Sequence, residues 1–147
     1  MPVSELCIRE VVILHRGDSA LEAARLMREH HVGDVIVVEA VSRVPLGIIT
    51  DRDLVVEIMA MEIAPGSVTA GEIMSSDIST IDENRGLFEA LAYMRSLGVR
   101  RLPVVNAEGG LVGILTLDDI LDLLAEELSD ISRLLKCERN KEMRRRA

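Results

Sequence analysis

Aromatic side chains are nearly missing from this chain: 147 residues hold one Tyr, one Phe and no Trp, although 48% of them are hydrophobic. The core must therefore be aliphatic, and there are no aromatic platforms on which nucleic-acid bases could stack. Cysteine is scarce as well. Cys7 and Cys137 lie near opposite ends without metal-ligand spacing, which points to reduced thiols and a cytoplasmic protein. No apolar run reaches the roughly 18 residues a membrane span needs, and no signal-peptide pattern opens the chain. Positive charge is short in the body. The net charge is −8, residues 133–147 hold seven Lys/Arg against two Glu, and the rest is therefore at −13 by subtraction. Such a body repels nucleic acid, and none is expected as a partner. The basic end, finishing Arg144-Arg145-Arg146, has two readings, a contact for an acidic partner or, the favoured one, a helix end with cations near the negative pole of its dipole followed by a frayed terminus.

Catalytic groups are lacking too. Ser75-Ser76-Asp77 has no nearby base to activate a nucleophile. His15, His30 and His31 show no metal spacing, and the two adjacent ones sit where a helix ends. The sequence indicates no catalytic residues and no metal site. The methionines fall at apolar helical positions and read as aliphatic filling.

What the chain does have is a repeat. GIITDRD at Gly47–Asp53 returns as GILTLDD at Gly113–Asp119, with glycine, threonine and final aspartate in the same places. Sliding the first half along until Glu22-Ala23 lies on Glu89-Ala90 also lays Met27 on Met94 and Val37-Val38 on Val104-Val105. From Gly47 onward the offset is shorter by one, because the first hairpin loop is one residue longer. The element order repeats with the letters, β-α-β-β-α in each half. In the first half a strand is expected at Val11–Leu14, then a helix from the capping box Ser19-x-x-Glu22 to about His31. Strands follow at Asp34–Glu39, apolar on both parities and so buried on both faces, and at Leu46–Ile49. A helix then runs from Asp51 to about Met61. Ala64-Pro65-Gly66-Ser67 is the linker. The second half gives a strand at Ile78–Ile81, a helix at Gly86–Leu97, strands at Leu102–Val105 and Leu111–Leu115, and a helix after Thr116. That last helix outruns its counterpart. Its apolar positions 120, 121, 123, 124, 128, 131, 134 and 135 form a stripe that should pack back on the pair or on a second copy.

A threonine that ends a strand and starts a helix can present its hydroxyl beside the free N–H groups and positive dipole end that favour a phosphate. An aspartate one turn on can accept from both hydroxyls of a ribose. The same Thr-x-x-Asp is also a helix cap worth about 1 kcal/mol. One copy suggests a cap; two copies at matching strand ends suggest two related sites, and nucleotide binding is favoured once the resemblance below is added. Arg52, between two aspartates, has two readings, a local ion pair or a reach to a ligand phosphate.

GIITDRDL at 47–54, GILTLDDI at 113–120 and GVRRLPVV at 98–105 together resemble a tandem pair of CBS (cystathionine β-synthase-type) domains, over residues 4 to 127. The resemblance implies an α/β fold of two pseudo-symmetric β-α-β-β-α repeats packed sheet to sheet. Residues 1–66 would form the first, 67–127 the second, and 128–147 a C-terminal helical basic tail. It implies a regulatory module, not an enzyme, that senses an adenosine-containing ligand: AMP, ADP, ATP, NAD or S-adenosylmethionine. The expected ligand clefts are two. Thr50 and Asp53 would face Arg100 and Arg101 for phosphate, Pro103 against the base, and the strand near Ile78 and Ser79. Thr116 and Asp119 would face Gly33, Asp34, Ile36 and the strand near Val11 and Val12. Two arginines in one cleft against a glycine and an aspartate in the other make the clefts unequal. The resemblance also implies a homodimer and a regulated partner protein that it does not name. The competing reading is an interaction module that dimerises and docks with its clefts empty.

Overall fold

The computed structural model describes residues 1–146. Two three-stranded sheets carry the chain. The first has β1 (Ile13–His15), β2 (Asp34–Val38) and β3 (Pro45–Thr50) in that order; the second has β4 (Ile81–Asp82), β5 (Arg101–Val105) and β6 (Leu111–Thr116). In each sheet the first strand runs parallel to the central one and the third antiparallel to it. Helices α2 (Ala20–His30) and α5 (Leu87–Leu97) connect the parallel strands.

The central strands show why the sheets face one another. β2 alternates sides: Val35 and Val37 pack with Leu14, Ala23, Met27 and Ile49 on the helix face, while Ile36 and Val38 meet Leu111 and Ile114 of the other sheet. A strand buried on both faces needs apolar residues on both parities, as the sequence has. The second repeat builds its own helix-side core from Leu87, Ala90, Met94, Leu102, Val104 and Leu115.

Each repeat lends its lead-in segment to the other. Helix α1 (Val3–Leu6) docks on the second repeat, where Val3 and Cys7 enter that core. Val3 N–H donates to Arg85 O at 2.8 Å and Ser4 N–H to Glu83 O at 3.0 Å. Helix α4 (Ala70–Ile73) docks on the first repeat, with Ala70 buried in its core and Ala70 N–H donating to Asp18 O. Each segment then crosses the seam. Ile8 exchanges backbone hydrogen bonds with Ile114 of β6, and Ser75 exchanges them with Ile48 of β3.

This crossing corrects two strand boundaries. β1 begins at Ile13 rather than Val11, and β4 at Ile81 rather than Ile78. Val11-Val12 and Ile78-Ser79 are β-formers by composition, but they span the gap between the partner repeat's edge and their own sheet. Val12 touches the ladder only through its carbonyl, which accepts from Ile36 N–H at 3.1 Å. β3 also starts one residue earlier than expected, at Pro45.

Helix α2 begins where the sequence places it, with Ser19 Oγ accepting from Glu22 N–H at 3.1 Å. It stops at His31, which takes the left-handed conformation (φ 54°), the place Gly98 (φ 67°) fills after α5. After β3, helix α3 (Asp51–Asp53) continues as a π-helical stretch, Leu54–Met59, where one α-helix was expected. Pro65–Ser67 forms a 3-10 turn in the linker.

The largest departure is the last helix. α6 runs unbroken from Leu117 to Arg146, so within the described residues the tail is helix rather than a frayed end. Its straight-chain Leu, Lys, Arg and Glu favour helix, and Arg146 pairs with Glu142 one turn earlier at 2.9 Å. The helix does not pack back on the repeats. Ile120 is buried, Leu117 and Leu123 lean on the second repeat's core, and the large apolar side chains beyond are exposed.

Candidate functional site

The two Gly-x-x-Thr-x-x-Asp segments fold alike, and each glycine has a structural cause. A Cβ on Gly47 would lie 2.7 Å from Ser75 O and from Met74 Sδ; one on Gly113 would lie 2.7 Å from Cys7 Sγ and 2.9 Å from Ile8 O. The glycines admit the exchanged lead-in segments. Burial also pushes the Cys7 thiol above its ordinary pKa.

The threonines and aspartates close on each other. Thr50 Oγ1 accepts from Asp53 N–H at 3.2 Å while Asp53 Oδ2 accepts from Thr50 N–H at 2.9 Å, a complete capping box. At the second copy Thr116 Oγ1 accepts from Asp119 N–H at 3.2 Å and donates to Asp119 Oδ2 at 2.7 Å. Below each cap, the first helical N–H is tied to the start of the central strand: Asp51 N–H to Gly33 O at 2.9 Å, and Leu117 N–H to Arg100 O at 2.8 Å.

A cavity of about 230 Å³ opens at the seam beside the second copy. Val11, Val12, Ile8 and Ile114 give it apolar walls, and Thr116, Asp118, Gly33, Asp34, Arg100 and Arg101 give it a polar rim. Arg101 is ion-paired with Asp34 across the two repeats. Arg100 reaches Asp118 at 3.4 Å, both largely exposed. An apolar slot with a hydroxyl, a helix start and two guanidiniums at its rim suits a flat apolar group that carries an anion.

The cavity regroups the residues singled out in the sequence. Val11, Val12, Gly33, Asp34 and Thr116 line it together, with Asp119 held to Thr116 just behind. Arg100 and Arg101 line it too. The expected division has the arginines in the Thr50 cleft and Gly33-Asp34 in the other; in the structure all four line this one cavity. The cause is the pseudo-symmetry, which sets Arg101 beside Asp34. Asp53 instead borders a shallow hollow with Glu57, Ile63, Glu72, Met74 and Ser75. Thr50 lies opposite Asp34 in the β2–β3 ladder. Ile36 and Pro103 hold equivalent places on the central strands, opposite Ile48 and Ile114, and both are buried. Ile78 and Ser79 are half-buried in the segment crossing to β4. Ile8, Glu10, Val32, Ile114 and Asp118 were not singled out. Asp118, next to Asp119 in the motif, could have been; Ile8 arrives by the exchange and leaves no local signal.

A family profile described as CBS domain matches this chain twice, over residues 3–60 and 70–126. An uncharacterized protein of Methanopyrus kandleri is 40% identical over 121 residues, which are 82% of this chain and 61% of that protein. The chain thus spans under two thirds of that relative's length. Hypoxic response protein 1 of Mycobacterium tuberculosis is 39% identical over 116 residues, 79% of this chain and 80% of the relative. The crystal structure of Hypoxic Response Protein I with two coordinated zinc ions is similar at a TM-score of 0.73 and 32% identity, over 83% of this chain and 98% of that one. In this chain no three His, Cys, Asp or Glu side chains are grouped to hold a metal among the described residues. The CBS domain pair of protein MJ0100, solved with 5-methylthioadenosine and S-adenosyl-L-methionine, has the same fold (TM-score 0.74, 24% identity, 86% of this chain and 98% of that one). The cytosolic domain of the Mg2+ channel MgtE in complex with ATP is similar at a TM-score of 0.70 and 28% identity, over 83% of this chain and 48% of that one.

Proposed function

The chain belongs to the CBS-domain family, and we propose that it is a regulatory module that binds an adenosine-containing ligand at the seam of its two repeats and signals to a partner protein. AMP, ADP, ATP, NAD and S-adenosylmethionine all offer the required adenine and ribose. The seam cavity carries this reading: apolar walls meet the Thr116 hydroxyl and two arginines at one rim. The adenosyl ligands and ATP of the similar structures support it. In this reading the apolar walls take the base, Asp119 beside Thr116 the ribose, and Arg100 and Arg101 the phosphate. The module turns over nothing, works as a homodimer, and acts in the cytoplasm, where its two free thiols stay reduced.

One observation favours the other reading, a dimerising and docking module with unfilled clefts. The polar groups of the site already satisfy one another, Arg101 with Asp34 and Thr116 with Asp119. Melting the chain with each adenosyl compound separates the two. A ligand at 100 times its Kd adds about 2.7 kcal/mol and raises Tm. A flat panel, adenosine included, rejects the ligand reading and leaves the docking module.

A further inference from the structure

Helix α6 leaves its last contact with the repeats near Leu123 and runs on to Arg146. The family match ends at residue 126, so most of this extension lies outside what the family describes. Leu121, Leu124, Leu128, Ile131 and Leu135 follow one another at spacings of three and four and lie on one stripe. Leu128 is 67% exposed and Ile131 55%, values at odds with a helix that has found its partner.

The charges along α6 choose the partner. Residues 118–130 hold Asp118, Asp119, Asp122, Glu126, Glu127 and Asp130 and no cation; residues 131–146 hold seven Lys/Arg against Glu138 and Glu142. One half is at −6 and the other at +5. We propose that the stripe is covered by α6 of a second copy, lying antiparallel as a two-stranded coiled coil. Antiparallel pairing sets each acidic half against a basic half; parallel pairing sets like against like. Leu128 of one copy then packs on Ile131 of the other, and Leu124 on Leu135. The exposed charges are individually weak, but several opposed pairs fall within about 8 Å, the screening length at physiological salt, and they fix the orientation. The repeats anchor the start of α6, so the helix is nucleated before it pairs. The inference does not depend on ligand binding.

The test uses the full chain. Sedimentation should show self-association that Leu128→Glu/Ile131→Glu removes, halving the mass. Both residues are exposed, so Tm of the repeats should stay close to that of the native protein. Orientation is read by a thiol spin label on Cys137, which is exposed while Cys7 is buried. Antiparallel pairing separates the two labelled backbones by about 25 Å, from a rise of about 1.5 Å per residue and helix axes about 10 Å apart. Register-matched parallel pairing brings them to about 10 Å, the separation of the axes alone. The longer distance, lost in the double variant, establishes the pairing. A monomeric native chain, an unchanged mass in the folded double variant, the shorter distance, or a label distance indifferent to the substitutions overturns it. Should the double variant fail to fold, the label distance in the native chain decides between the same outcomes.

Discussion

Asp34 and Arg101 stand at the same position in the two repeats, and they meet as an ion pair across the seam. A perfect repeat would put like beside like at this point. The acidic–basic difference turns this meeting of the halves into an attraction, and it places at the cavity rim a cation that is already engaged. In the proposed ligand reading, a phosphate would compete with Asp34 for Arg101.

Removing the competitor should strengthen binding. Asp34→Ala is expected to raise affinity for AMP or ATP about tenfold, on the order of 1–2 kcal/mol, because a charge-assisted bond becomes free and a repelling carboxylate is gone. Adenosine, without a phosphate, should bind as before. Calorimetry with both ligands checks this; equal or weaker nucleotide binding in the variant would falsify it. Arg101→Glu should lose nucleotide binding and also loosen the seam, since it faces Asp34.

Neither half should fold alone. Residues 1–66 lack Ala70 and Met74, which close the first core, and expose Val3, whose burial elsewhere is worth about 1.5–3 kcal/mol. Expressed alone, this half should give a poorly dispersed NMR spectrum or aggregate. Extending it to residue 76 and deleting residues 1–8 should improve dispersion. A well-folded monomer from 1–66 contradicts the exchange.

Gly113→Ala should destabilise the protein by about 1–3 kcal/mol, since its methyl meets the Ile8 carbonyl as well as Cys7 Sγ. Urea unfolding measures the loss. Gly86→Ala is the control, because a Cβ there meets nothing within 4 Å.

Cys7 makes stability fall at alkaline pH. Its folded pKa lies above the ordinary 9.0 because burial disfavours the thiolate. The unfolded thiol therefore ionises first: the contribution is intact below about pH 9 and is lost as pH rises through the folded pKa. Cys7→Ala should flatten that decline in denaturant melts taken from neutral to alkaline pH. An unchanged slope shows that Cys7 plays no part in it.

The sequence made the architecture legible where local pattern reflects burial. β2 reads as a doubly buried strand from Val35–Val38, and Ser19 reads as a cap from its spacing to Glu22. The pair of sheets followed from the repeat. Val11-Val12 and Ile78-Ser79 misled because their β-forming character serves a crossing, and no local signal reports which sheet a segment leaves. The glycine of each motif repeats without a local reason, because its nearest neighbours come from distant parts of the chain, Met74 for Gly47 and Cys7 for Gly113. The cavity rim was half legible. Thr116, Asp34 and the arginines were singled out, but grouping them required knowing that Asp34 and Arg101 adjoin. That followed from the repeat offset once the two sheets were set face to face.

The exchanged segments also order events on the ribosome. Val3 and Cys7 are synthesised long before their neighbours Leu87, Ala90 and Leu115. At roughly 5–20 residues per second, Val3 waits several seconds for that core to exist. The first repeat meanwhile stays open until α4 emerges. Val3 is translated well before the residues that enclose it, and a holdase that shields this segment while it waits should raise the yield of soluble protein.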